Sequence, residues 1–492
     1  MKQYIMVLMV FLFCTSVYAT YYPIKNNSNT DIIVVLDSED DLFLKHQLIS
    51  KAKHTIEMIS HLQTMGPVGG LVVDDIRKAM GRGVKVKYLF EAVATMTGGG
   101  EFGLDSIPFL TEDRLYKKTG SQLIVNRISQ RWSSPFALND LVHKKVLIVD
   151  RGTANETIVV TGRNNHEVNF TWSDLTFVIR RVNSNLPYLG DDIISDFDRT
   201  WSLITKYFQV EDPTVLDESD IEKYAKYKFR PVHPTAEGIE TERILNREPK
   251  AVDKLANNQF RPAYVRVVTT DTLEQIAKLK LPKTVGLRPE IVDDVSNYLG
   301  EVLKTATKAE ANIYALIIPQ KLRTWLADFV KRNGELTILT NSSESLGSAL
   351  PISTVTDAIE FYSKEALVEL SSKASGFSTE DRIKMFALSS KKSSNNGSAP
   401  NATHRKLWVL EFPNGQKLSF FGSHNLTTAS SSKSDEIMIA AFDVRMADYF
   451  SALNRKEIAT NYKRVTLKEA NSKEVVTRVT RKVGNQVFQS IY

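Results

Sequence analysis

The chain of 492 residues carries a single cysteine, Cys14. Disulfide scaffolds, Cys-ligated zinc and thiolate catalysis are excluded with it. No His-x-x-His pair or carboxylate cluster has metal-ligand spacing, so neither a resident metal nor another cofactor is expected. Long apolar runs are scarce as well. Lys2 and the stretch from Ile5 to Cys14 make a run too short for a spanning helix. With Val17-Tyr18-Ala19 after it, the segment 1–19 reads as an export signal cleaved after Ala19, and Phe13 argues against a lipidated Cys14. A large excess of one charge is also missing. The 63 Lys and Arg against 57 Asp and Glu leave a net +6, which tolerates an anionic partner without demanding nucleic acid. What remains is a globular composition, 42% apolar and 24% charged, on a chain long enough for several domains.

An order of elements recurs. Residues 51–91 read as a helix end, a strand Thr55 to Ser60, a helix Val72 to Met80 and a second strand after Arg82-Gly83. The same order predicts a helix near Tyr298 to Ala306, a strand Asn312 to Ile318, a helix Leu322 to Arg332 and a strand after Asn333-Gly334. Two similar α/β lobes are implied, over 20–205 and 286–460. Between them, 206–285 is charged, contains Pro213, Pro231, Pro234 and Pro262, and reads as a connecting region with some helix. The stretch from Ser389 to Pro400 is a Ser/Asn/Gly loop, and 461–492 is a basic tail whose charges among acids suit a solvated face.

The chemistry gathers in two places. His143-Lys144-Lys145 opens the apolar run Val146 to Val149 before Asp150, and His404-Arg405-Lys406 opens Leu407 to Leu410 before Glu411. Alternation along a strand puts His143 with Lys145, and His404 with Lys406, on one face. Asn164 follows His143 by 21 positions and Asn425 follows His404 by 21; Asp174 comes ten after the first amide and Glu436 eleven after the second. A lone H-x-K-x(4)-[DE] match is weak, but its recurrence at matched spacing marks a duplicated site. Two imidazoles suit phosphodiester chemistry without a metal: one attacks phosphorus while the other protonates the departing alkoxide, and water or an alcohol resolves the phosphohistidine. Lys145, Lys406, Asn164 and Asn425 can hold the non-bridging oxygens, and Asp174 and Glu436 can orient the imidazoles through the remote ring nitrogen. Other histidines read differently: His166 and His424 as neighbours of the site, His54 and His61 as structural. Trp132, Phe136 and Leu138 ahead of His143 suit an acyl or interfacial surface and core packing equally.

The paired motifs resemble those of the phospholipase D superfamily, over most of residues 45–450. Ala79 to Val86 is similar to that family's helix-to-strand entry, Trp172-Ser173-Asp174 with Phe197 and Trp201 to the segment after its first motif, and Thr340-Asn341-Ser342 to the bacterial cardiolipin synthase branch. The resemblance implies an α/β fold of two phospholipase D-type α/β/α sandwich lobes with mixed sheets, related by a pseudo-two-fold and sharing one active site. It implies His143 and His404 as nucleophile and general acid, with His143 preferred as nucleophile. Lys145, Lys406, Asn164, Asn425 and Ser423 would bind phosphate, Asp150 and Glu411 would be structural acids, and Asp174 and Glu436 would orient the histidines. Three departures stand out: Glu411 for the usual Asp, Gly162 where the second half has Ser423, and the bulk of Trp408.

The expected protein is an exported monomer, periplasmic or secreted and associated with a membrane surface, that hydrolyses or transfers phospholipid head groups. A metal-independent nuclease of the same superfamily, acting on nucleic acid, is the alternative enzyme. A secreted binding protein that recognises phosphate or lipid without turnover is the alternative outside enzymes.

Overall fold

The computed structural model describes residues 29–61, 63, 66–91, 106–126, 141–166, 172–182, 187–207, 214–215, 258–281, 288, 290–314, 318–347, 353–374, 379–389 and 402–471. The export signal, the Trp132, Phe136 and Leu138 group, nearly all of the Ser/Asn/Gly loop and the tail beyond 471 lie outside the described residues.

The first lobe's strands are β1 (Thr30–Val35), β2 (Thr55–Ser60), β3 (Lys85–Glu91), β4 (Gln122–Asn126), the short β5 (Leu141–Val142), β6 (Val146–Val149), β7 (Thr157–Thr161), β8 (Thr176–Arg181), β9 (Thr214–Val215) and β10 (Gln259–Phe260). The second lobe follows with β11 (Tyr264–Thr269), β12 (Lys308–Ile313), β13 (Glu335–Thr340), β14 (Ile383–Leu388), β15 (Lys406–Glu411), β16 (Lys417–Gly422), β17 (Ser434–Asp435), β18 (Ile437–Phe442) and β19 (Tyr462–Val465). The first sheet runs β10-β1-β8-β7-β6-β2-β3-β4-β9 and the second β11-β18-β16-β15-β12-β13-β14-β19. Setting β10 aside, the two orders correspond strand for strand. In each sheet three neighbours are parallel, β2, β3 and β4 or β12, β13 and β14, and the rest pair antiparallel. The parallel pairs need crossovers, and the helices Pro67–Gly81 and Gln320–Lys331 supply those from β2 to β3 and from β12 to β13. Each helix stops the same way, with a residue at positive φ after the last turn: Gly83 at 92° and Asn333 at 71°.

Alternation along the central strands divides the core into layers. Val146 and Ile148 of β6 face a core they share with Leu407 and Val409 of β15. Leu147 and Val149 face an outer core under the helices of the first lobe, and Trp408 and Leu410 face the equivalent of the second. The shared layer also takes in the helices Leu189–Tyr207 and Val444–Asn461, and Phe177 stacks on Phe421 there with centroids 3.9 Å apart. Strands buried on both faces are why these segments read as unbroken apolar runs. The bulk of Trp408 is absorbed within its own lobe: it is fully buried and pairs across the sheet with the small Ala311.

Two expectations shift. The strand expected over 312–318 lies at 308–313, and the stretch expected to connect the lobes contains β11 at an edge of the second sheet, so that sheet begins at Tyr264. No described helix is long and apolar enough to cross a membrane.

Candidate active site

His143 sits between β5 and β6, and His404 just ahead of β15. Here the lobes are stitched together. The short strand β5 pairs with β17 of the other lobe, and Ser173 bridges to Thr403 in the same manner. The His143 N–H donates to the Asp435 carbonyl at 2.9 Å, and the His404 N–H to the Ser173 carbonyl at 2.8 Å. Each crossing delivers the next residue of the opposite lobe to the ring. His143 Nδ1 lies 2.8 Å from Glu436 Oε2, and His404 Nδ1 lies 2.6 Å from Asp174 Oδ2. With Nδ1–H committed to a carboxylate, Nε2 is the nitrogen left for chemistry. The acids therefore exchange lobes: each imidazole is oriented by the other half of the chain.

Lys145 and Lys406 are buried, and each donates to the backbone carbonyl of its own motif histidine, at 2.7 and 2.5 Å. Asn164 and Asn425 follow the ends of β7 and β16. Asn164 is buried, and the Oδ1 of Asn425 is buried without a hydrogen-bond partner. Ser423, expected among the phosphate ligands, instead donates to Glu436 Oε2 at 2.5 Å and accepts from the Ile437 N–H at 3.0 Å. The motif acids stand apart from the histidines. Asp150 accepts from the backbone N–H groups of Lys53, His54 and Thr55 at 2.9, 2.7 and 3.3 Å, tying the strand end of β6 to the start of β2. Glu411 takes no such role, because its longer side chain turns outward to an ion pair with Lys417 at 3.6 Å.

Burial lowers both imidazole pKa values. His143 falls well below the ordinary value, helped by Lys145, Lys406 and His404. At His404, burial and Lys406 outweigh Asp174 and leave about 4. Burial also drives the lysines down, Lys145 with the added push of Lys406, and Lys406 to about 8. The acids diverge. Burial opposes ionisation of Asp174, but Lys406 and His404 hold it at about 2, whereas burial prevails at Glu436 and raises it. Charge on one motif is felt at the other, so the two half-sites form one electrostatic unit.

Sequence reasoning passed over four residues at this site. His61, read as structural, packs edge-on against His143 with centroids 4.5 Å apart. Tyr314 packs on His404 at 5.4 Å beside Trp172 at 5.2 Å. His61 and Tyr314 each follow the last residue of the strands β2 and β12, so they are counterparts, visible only once the repeats are aligned strand by strand. The middle residues of both motifs, Lys144 and Arg405, point away to Asp196 at 2.8 Å and Glu457 at 2.7 Å on the two long helices. Their signal was the basic residue shared at that position. His424 is buried and accepts from the Leu426 N–H at 2.8 Å, beside the site. Among the described residues no group of three or more His, Cys, Asp or Glu could hold a metal ion.

The fold is similar to that of a phosphatidylserine synthase from Haemophilus influenzae Rd KW20, with a TM-score of 0.59 and 13% identity over 94% of this chain and 95% of that one. Weaker likenesses reach a polyphosphate kinase from Porphyromonas gingivalis, at TM-score 0.45 and 12% identity over 94% of this chain and 54% of that one. Nuc from Salmonella typhimurium, a phospholipase D family member, matches at TM-score 0.25 and 20% identity over 35% of this chain and 95% of its own. No protein-family profile and no curated protein matches the sequence.

Proposed function

We propose that this phospholipase D-type fold, with one site shared by two lobes, cleaves and exchanges phosphodiester bonds through a covalent phosphohistidine, and that its substrates are phospholipids. The observation that carries the reading is the exchange of acids between lobes, which holds each imidazole from the other half of the chain and brings the two motifs close enough for charge on one to act on the other. His143 is assigned the part of the nucleophile; burial favours its neutral form, and its Nδ1 lies against Glu436, which leaves Nε2 for the attack. In the first step its Nε2 lone pair forms an N–P bond while the P–O bond to the leaving alkoxide breaks, and His404 gives that oxygen its proton. An anionic phosphate in the gap favours the protonated form of His404, and ionised Asp174 steadies it. In the second step water or an alcohol gives its proton back to His404, its oxygen bonds to phosphorus, and the N–P bond breaks. Lys145, Lys406, Asn164 and Asn425 hold the non-bridging oxygens as charge builds on them.

Similarity in fold to a phosphatidylserine synthase supports the lipid reading and a transfer to alcohol as well as to water. Export by the 1–19 signal belongs to the same proposal and would put a monomeric enzyme at a membrane surface in the periplasm or medium. The test is turnover of phosphatidylglycerol, phosphatidylcholine and plasmid DNA, in chelator, by the full chain and by His143→Ala. Lipid turnover that falls by roughly 10⁴-fold or more in the variant is expected. DNA cleavage in its place would make the protein a nuclease, and lipid binding without turnover would make it a binding protein. Activity only with added divalent metal would contradict the mechanism.

A further inference from the structure

The ion pairs that join the lobes are unevenly shared between the two half-sites. Among the described residues, those that cross between lobes, apart from the two histidine–acid pairs, all gather behind His143. Lys144 Nζ donates to Asp196 Oδ1 at 2.8 Å and Thr200 Oγ1 at 2.9 Å on its own lobe's long helix, and lies 3.8 Å from Asp435 Oδ2 of the other lobe. Arg199, nearly one turn beyond Asp196, holds that carboxylate at 2.5 Å, pairs with Asp271, and reaches Glu274 at 3.4 Å. The second oxygen of Asp435 accepts from the Leu273 N–H at 2.8 Å. From the same turn, the Thr270 hydroxyl donates to the Ser434 carbonyl at 2.8 Å and accepts from the Glu436 N–H at 3.0 Å. The residue held from both sides is Glu436, the acid that orients His143. The other half-site differs: Arg405, counterpart of Lys144, pairs with Glu457 inside its own lobe.

We propose that Lys144 and Arg199 are positioning residues, which act through Asp435 and the turn 269–274 to set the reach of Glu436 to His143. They touch no substrate. Before the first step a nucleophilic imidazole must hold its proton on Nδ1 and its lone pair on Nε2, whereas the general acid reaches that tautomer only after it has given up its proton, so the demand falls first on His143. The cluster is built for a fixed charge: burial works against the Lys144 ammonium, yet Asp196 and Asp435 outweigh it and keep the lysine protonated. Removing that charge leaves Asp435, one residue from Glu436, buried beside Asp196 and Asp271 with no other ion pair of its own among the described residues.

The inference rests on His143 as the nucleophile, but its first test needs no turnover. Ring ¹⁵N spectra of the full chain, with His143 assigned by His143→Gln, are compared for the wild type, Lys144→Met and Arg199→Met. The expected result is a pure Nδ1–H tautomer of His143 in the wild type, a mixture in both variants, and an unchanged His404. In single-turnover reactions with phosphatidylglycerol, phosphoenzyme formation then slows by about 10- to 100-fold at little cost in KM, and Lys144→Arg restores most of it. Because Arg199 is about a third exposed, its variant keeps the test open if Lys144→Met does not fold. An unchanged His143 ring in the folded variants, or an equal change at His143 and His404, overturns the inference. A wild type that forms no phosphoenzyme contradicts the proposed function instead, while the ring spectra still decide the role of the cluster.

Discussion

The two orienting acids differ by a methylene, and the residue behind each is matched to it. Ser423 reaches out to Glu436 with a hydroxyl. At the equivalent Gly162, an added Cβ would be driven into the carboxylate of Asp174, so glycine here makes room for the shorter acid. Gly162→Ala should push Asp174 off His404, lowering kcat by about 10- to 100-fold and stability by about 1–3 kcal/mol, read from turnover and thermal melts. Acid should also weaken the fold through His404. Its native pKa is about 4 against 6.5 for an ordinary histidine, so between those values the unfolded chain binds more protons. Stability therefore rises with pH across that window and is lost on acidification through it. Melting temperatures taken from about pH 7 to about pH 5 should fall by several degrees, and His404→Gln should flatten the fall. The residues of the two motifs and the acids were legible from their spacing. His61 was not, because one histidine after a strand carries no signal until its counterpart Tyr314 is identified.

At the level of elements, the duplicated motif has been put to two uses. Asp150 gathers three backbone N–H groups at the start of β2 and itself sits at a φ of 52°, where Asp is tolerated better than most residues. Glu411 makes only a partly exposed ion pair. Asp150→Ala should cost about 2–4 kcal/mol in urea unfolding and Glu411→Ala less than about 1 kcal/mol, with kcat of the folded protein unchanged in both. Equal costs would mean that the second acid still supports its strand. The sequence is clear where apolar runs are bounded by turns: β2 was read to the residue, and β6 and β15 to within one. It misleads at β12, whose opening Lys308-Ala309-Glu310-Ala311 favours helix by local preference and becomes a strand only because β13 and β15 flank it. β11 was hidden for a different reason. It lies among prolines and charges, and its half-exposed pattern is that of an edge strand.

For the whole molecule, the central layer binds the halves into one unit. Val146, Ile148 and Phe177 from one sheet and Leu407, Val409 and Phe421 from the other share a single core. Calorimetry should therefore show one cooperative transition for both lobes, and two separate transitions would contradict a shared core. Repeats and strand order made the two lobes legible, but nothing in the spacing says which lobe an acid serves. Asp174 belongs to the same half of the sequence as His143 but stands beside His404 in space, because the lobes pack so that each strand end meets the other's turn. That exchange is the centre of the account. Its most direct test is a crystal structure with vanadate, which mimics a five-coordinate phosphorus. One vanadium bonded to His143 Nε2, with His404 Nε2 hydrogen-bonded to an oxygen on the opposite face, is the predicted result; vanadate held by one histidine alone, with the other turned to a separate pocket, would contradict it.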